Sequence, residues 1–409
     1  MTLRKLISLF VMGTLTVSAL GACSNRNNAE EKVRMEFFQY KSEARGTFNH
    51  LIEKFEKENP TIDVVQLNPP DAETVLRTRV VKRDMPDVIG IGGNSTFAIL
   101  AQSGVLKEVS NKNLENVQPA YTNILQDVTE LEKVYGVPYA ANASPVIYNK
   151  SIFNNLGLEI PKTWDELIDV SEKIKAAGIT PFYFTLKDAW TTLPAYNALV
   201  ANTQDEDFFQ QRKKDRVTFQ QSYGEATEKF LTLLNYGHKS QYGKGYSDGN
   251  VAFARGEAAM YLQGIAAIPE IQKSNPDIKL GTFPYPVTNM QNESKVVSGV
   301  DLLLAQSVTT EHPKEAQAFI NFLMREENAK EYLKEQNAFS TIKGVFPEDP
   351  ALAGLLENFK RGLIVDYPDH YIPPAMRIEN LLQQLAHDKD KADFLEKLDQ
   401  EWNKVQERN

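Results

Sequence analysis

The segment Asp188-Ala189-Trp190 carries the residue types best suited to holding a polar solute. An indole face can stack on the apolar C–H face of a sugar ring while a neighbouring carboxylate accepts hydroxyl protons. The same Trp could equally pack inside a core. Glu43, Asp301 and Asp366 are further acids that could face a solute, or work in pairs across a glycosidic bond. The five histidines (His50, His238, His312, His370 and His387) are scattered, with no His-Glu-x-x-His spacing, which argues against a histidine metal site or triad. Gly90-Ile91-Gly92-Gly93-Asn94-Ser95 follows a strand pattern and precedes a helix pattern. However, Ser95 stands where a dinucleotide fingerprint has its third glycine, and the turn follows the third strand rather than the first. In Gly237 to Gly245, Gly245 replaces the hydroxyl residue that a phosphate loop needs after Lys244. That segment reads as a plain loop.

The single cysteine, Cys23, excludes an intrachain disulfide and a Cys-based zinc site. It follows Arg4-Lys5, an uncharged stretch from Leu6 to Ala19, and Leu20-Gly21-Ala22. A basic start, a short apolar core and small residues form a secretory signal over 1–22, and the apolar stretch is shorter than the ~20 residues of a spanning helix. Small residues directly before cysteine resemble a bacterial lipobox, which implies cleavage before Cys23 and lipidation of its sulfur. Residues 23–32 would then be a flexible tether. The chain has 409 residues, enough for about two or three domains. Its aromatics and 42% hydrophobic content exclude a largely disordered protein. A formal charge of −9 argues against nucleic acid as a partner, because gripping phosphates needs an excess of Lys and Arg.

These residues need elements to position them. Val33–Phe38 reads as a strand, and Phe48, Leu51, Ile52 and Phe55 line one helix face before the Asn59-Pro60 stop. Ile62 to Val65 and Val88-Ile89 are further strands, with a helix around Leu76 between them and another ending at Gly104. This β-α-β-α-β-α order predicts an α/β lobe with a largely parallel sheet. A second series begins near Tyr135, with a strand at Val146-Ile147-Tyr148 and a capping box at Thr163-Trp164-Asp165-Glu166. A strand at Pro181 to Phe184 follows. His312-Pro313 opens a helix bearing Ala316, Phe319, Ile320 and Leu323, and the tail from Met376 is helical in pattern.

The chain resembles the extracellular solute-binding proteins of bacterial ABC importers, in the carbohydrate-binding family that includes maltose- and multiple-sugar-binding lipoproteins. The resemblance spans essentially the whole chain after Cys23. It rests on Met85-Pro86-Asp87-Val88, Gln102-Ser103-Gly104, Tyr135-Gly136-Val137-Pro138-Tyr139 and Phe253 to Met260. Most specific is Tyr148-Asn149-Lys150 followed by Pro161-Lys162-Thr163-Trp164. It implies an α/β, two-lobed periplasmic-binding-protein-like fold of type II, with hinge crossings near Asn142–Ser144, Gly281–Pro286 and Gln306–Glu311. Lobe one would be 24–142 with 282–308, and lobe two 143–281 with 309–409. Ligand contacts would come from Tyr40, Glu43, Asn94, Asn142, Asp188, Trp190, Gln263, Asp301 and Tyr371. Where many members carry a Trp after Gly264, this chain has Ile265-Ala266, so one aromatic platform is expected to be missing.

The implied function is capture of a carbohydrate and its delivery to permease subunits, by a monomer lipid-anchored on the extracellular face of the cell membrane. No catalytic residue, metal or cofactor is expected. Two alternatives stay open: a binding protein of this fold for a non-sugar solute, and a secreted carbohydrate-active enzyme. Monosaccharides, α-galactosides, isomalto-oligosaccharides and fructans are all compatible with such a cleft.

Overall fold

The computed structural model describes residues 32–291 and 293–407, so the signal segment, Cys23 and nearly all of the tether lie outside them. Twelve strands run β1 Val33–Gln39, β2 Ile62–Leu67, β3 Val88–Ile91, β4 Val137–Ala141, β5 Val146–Asn149 and β6 Thr180–Tyr183, then β7 Ala258–Tyr261, β8 Leu280–Phe283, β9 Val296–Val297, β10 Val300–Gln306, β11 Phe339–Ser340 and β12 Ile364–Val365. Six of them form one sheet in the order β11-β4-β10-β3-β1-β2, and four form another in the order β6-β7-β5-β8.

The first sheet is mixed rather than largely parallel. β1 runs parallel to β2 and β3, but β10 is antiparallel to both β3 and β4. β10 comes back from the second lobe and enters the sheet at the end where β4 leaves it, so it must run the opposite way.

Helices cover both faces, as a sheet buried on two sides requires. One face packs Phe37 against Phe48 and Phe319 at ring distances of 4.9 and 5.2 Å, in edge-to-face geometry. Those rings belong to the helices Arg45–Glu58 and Pro313–Leu323, whose buried positions recur every three or four residues. Glu326–Gln336 joins the same core through Tyr332. The other face holds Ala72–Lys82, Ser95–Gln102 and Pro119–Thr129. Gly93 lies where this packing is tightest. A Cβ there would sit 2.7 Å from Leu125 and 2.9 Å from Val300, so the glycine serves close packing rather than phosphate binding.

The second sheet packs Leu193–Ala201, Gly224–Leu234, Ile378–Asp388 and Lys391–Gln406 around Tyr196, Phe230 and Trp402 on one side. On its other side Phe253 stacks on Tyr261 at 5.4 Å. The helix at Trp164–Ala176 starts as expected, with the Thr163 hydroxyl accepting from the Glu166 amide at 3.2 Å. The reciprocal half of the box is displaced: the Glu166 carboxylate takes the Lys162 amide instead, at 2.6 Å.

The expected lobe division needs correction. Residues 313–336 and β11 pack in the first lobe, whereas the resemblance implies the second for all of 309–409. β8 pairs with β5 in the second sheet, whereas the resemblance implies the first lobe from 282 to 308. No crossing occurs at Gln306–Glu311, because β10 runs on to Gln306 and the Pro313 helix covers the same sheet. An apolar helix face shows that a helix is buried, not which sheet buries it.

The chain passes between the lobes at 142–145, at 284–299 and again before β12. Ser144 N to Val297 O (3.0 Å) and Ser298 N to Val365 O (2.8 Å) bind the three passes together. Among the described residues no helix is long and apolar enough to cross a membrane.

Candidate functional site

The end of β1 and the start of β10 bring Tyr40, Lys41 and Asp301 together, although β3 lies between those strands. The Tyr40 hydroxyl donates to the Asp301 carbonyl at 2.6 Å, and Lys41 Nζ sits 2.5 Å from Asp301 Oδ2. Lys41 also reaches Glu43 Oε1 at 3.4 Å, leaving that acid largely in solvent. Burial and the Asp301 charge hold the Tyr40 hydroxyl well above the usual tyrosine range. Burial pulls the Lys41 ammonium down, but Asp301 outweighs it and the net shift is upward.

Next to this group, Asn94 Oδ1 accepts from the Thr96 and Phe97 amides at 3.0 and 3.4 Å, capping the Ser95–Gln102 helix. Its Nδ2 donates to Glu73 at 2.9 Å, so both ends of the amide are engaged. Asn142 lies on the first crossing, where its Oδ1 accepts from Gly299 N at 3.2 Å and its Nδ2 makes no hydrogen bond among the described residues.

The second lobe presents a different surface. Trp190, in a short 3-10 turn after β6, is 47% exposed, and the Tyr246 ring lies 4.9 Å away at 54°. Asp188 Oδ2 accepts from the Tyr246 amide at 2.7 Å, fixing the start of the Tyr246–Ala254 helix beside the indole. Gln263 is buried and donates to the Thr191 carbonyl at 3.2 Å, so it supports the Trp190 turn instead of opening to solvent. The next residues reach the crossing itself, with Ile265 N donating to Ala143 O at 3.0 Å. Hydrogen bonds thus tie the Trp190 turn through residues 263–265 to the crossing at 142–143, and the crossing to Gly299, two residues before Asp301.

Tyr371 stands apart. It stacks on Phe209 at 5.1 Å and lines a crevice of about 920 Å³ between the Pro119–Thr129 helix and residues 201–214, a space that includes none of the other expected contacts. Sequence reasoning missed Lys41, Glu73 and Tyr246. Lys41 adjoins a chosen residue, while Tyr246 had only its ring type as a signal.

The arrangement gathers hydroxyl, amide, carboxylate and indole groups around a passage between two lobes. Among the described residues no cluster of His, Cys, Asp and Glu could hold a metal ion. The geometry suits recognition of a polar, non-ionic solute: in the first wall Lys41 is neutralised by Asp301, and Arg77 lies beside Glu73.

Fold and site together define a two-lobed capture protein of the type II periplasmic-binding class. RafE of Streptococcus pneumoniae in its apo form superposes with a TM-score of 0.80 at 31% identity, over 92% of this chain and 98% of that one. RafE in complex with raffinose gives 0.78 at 31% identity, over 92% and 100%. Residues 41–330 match the bacterial extracellular solute-binding proteins, and the chain belongs to that family. It is a binding protein and not an enzyme. The multiple sugar-binding protein of Streptococcus mutans serotype c is 34% identical over 356 residues, 83% of each chain. The melibiose/raffinose/stachyose-binding protein of Bacillus subtilis is 25% identical over 420 residues, 97% of this chain and 96% of that one.

Proposed function

We propose that this chain is the substrate-binding component of an ABC sugar importer and captures an oligosaccharide of the raffinose kind between its lobes. The observation that carries this reading is the exposed Trp190–Tyr246 pair of the second lobe together with the Tyr40–Lys41–Asp301 group of the first, since stacking and hydroxyl-directed hydrogen bonds are what a sugar needs. The relatives named above for raffinose, stachyose and melibiose support it. A sugar docks on one wall, and closure follows because the closed state makes contacts with both walls that the open one lacks. The loaded protein then meets a membrane permease, and cytosolic ATPases drive transport.

The two lobes, with 313–340 counted in the first, move as units about the crossings. The protein works as a monomer held to the outer face of the membrane by lipid on Cys23. Calorimetric titration with raffinose, stachyose, melibiose and maltose tests the central claim: saturable binding of at least one α-galactoside is expected, and silence across the panel would overturn it. Cys23→Ala should release the protein from membranes with ligand affinity unchanged; a variant still pelleting with membranes after alkali washing would refute the anchor.

A further inference from the structure

His370 lies in the turn Pro368–Tyr371, directly above the second crossing. Its Nδ1 is 3.0 Å from Asp366 Oδ1, and Cε1 lies 2.9 Å from the position a Cβ would take at Gly299. The ring therefore rests on the crossing strand where Gly299 leaves room, and the amide of that same glycine donates to Asn142 Oδ1. Nδ1 is committed, whereas Nε2 makes no hydrogen bond among the described residues and is not enclosed; the side chain keeps 20% of its surface.

Gly299 ties the ring to the first wall: its amide donates to Asn142 Oδ1, and Asp301, two residues further on, accepts from the Tyr40 hydroxyl through its carbonyl. The turn is fixed from behind, with Asn197 Nδ2 donating to Asp369 Oδ1 at 2.8 Å and the Tyr367 hydroxyl bonded to Ser144 at 3.0 Å. A rigid turn that presents one free ring nitrogen to the junction between two walls is suited to touching whatever bridges them.

We propose that His370 is a ligand-contacting residue of the cleft floor, with Nε2 donating to a sugar oxygen while Asp366 holds Nδ1. The assignment rests on the sugar-capture reading above. The charges that bear on the ring are those of Asp366, just before the turn and in contact with Nδ1, of Asp369 within the turn and of Glu73 from the first lobe; Asp301 and Asp127 bear on its neighbours Tyr367 and Asp366. Burial disfavours the imidazolium, but these acids prevail and raise its pKa to about 9. Both ring nitrogens then carry protons, and Nε2 is a charge-assisted donor throughout neutral pH.

Titration calorimetry with raffinose from pH 6 to pH 10, paired with thermal melts, tests this. His370→Asn keeps a donor for Asp366 but lacks the far nitrogen. It should weaken raffinose binding by roughly 10- to 100-fold at pH 7, the range for a charged hydrogen bond, with little change in melt. His370→Gln, whose amide reaches the Nε2 position, should restore part of that loss. Wild-type affinity should fall as pH rises through about 9, and neither variant should show that step. Asn and Gln variants that bind as wild type, or that share its alkaline step, would overturn the assignment. If the unsubstituted protein binds neither raffinose nor any other sugar of the panel, the sugar reading itself fails and takes this one with it, an outcome visible before any substitution is made.

Discussion

On the first-lobe wall Tyr40, Lys41 and Asp301 already hold one another, with distances of 2.5 and 2.6 Å and the ion pair mostly shielded. On the second-lobe wall the Trp190 indole stands nearly half exposed, with the Tyr246 ring beside it. The polar wall is therefore oriented before any solute arrives, and ordering it on binding costs little. The aromatic wall supplies what an ordered polar wall cannot, a sizeable apolar area to remove from water. Affinity should thus depend most on the second wall, and orientation on the first.

Trp190→Ala is the strongest challenge to that division. A sugar on the indole could bury about 100 Å², worth roughly 2.5 kcal/mol at about 25 cal/mol per Å². Affinity for raffinose should drop by roughly 50- to 100-fold with a normal melt. A variant that melts early would place the indole in the core, and unchanged affinity would remove it from the site.

Lys41→Ala comes next. It leaves Asp301 without its cation and frees the loop after β1. Charge-assisted hydrogen bonds are worth roughly 1.5–3 kcal/mol, and we expect raffinose affinity to fall by about 10- to 30-fold. A loss as large as that of Trp190→Ala would erase the distinction between the walls.

Asn94→Ala sharpens the comparison from the side of stability. Its amide caps one helix and holds Glu73, so its loss should cost about 1 kcal/mol and lower the melt by about 1–2 °C. Calorimetry should find raffinose binding within about threefold of wild type. A larger loss would show that the cap also contacts ligand.

Local signals made much of the fold legible. Phe48, Leu51, Ile52 and Phe55 mark a helix face that is buried as the spacing requires, and Gly104 and Gly178, at φ of 70° and 78°, end helices where only glycine is comfortable. Partner choice was not legible. β10 inserts between β3 and β4 through pairings that no nearby residue encodes, and Phe319 looks the same whichever sheet buries it. Within the site, Asp188 and Trp190 were visible as types, but the bond from Asp188 to the Tyr246 amide spans 58 residues and left no trace in either segment. Tyr371 failed for a related reason. Its ring was visible, but whether the turn at Pro368–Tyr371 pointed it toward Trp190 or toward Phe209 depended on tertiary packing.

The insertion of β10 also bears on how the polypeptide is made. The strand that joins the two halves of the six-stranded sheet, with β4 and β11 on one side and β3, β1 and β2 on the other, begins at Val300. Ribosomes add about 5–20 residues per second, so the first 141 residues wait roughly 8 to 30 seconds for the strand that links them. During that interval the amino-terminal half has the rim of a sheet but no centre, and a long loop must close before its contacts accumulate. Such a chain stays loosely structured while it is being synthesised, which is the condition in which a polypeptide can be threaded through a narrow pore.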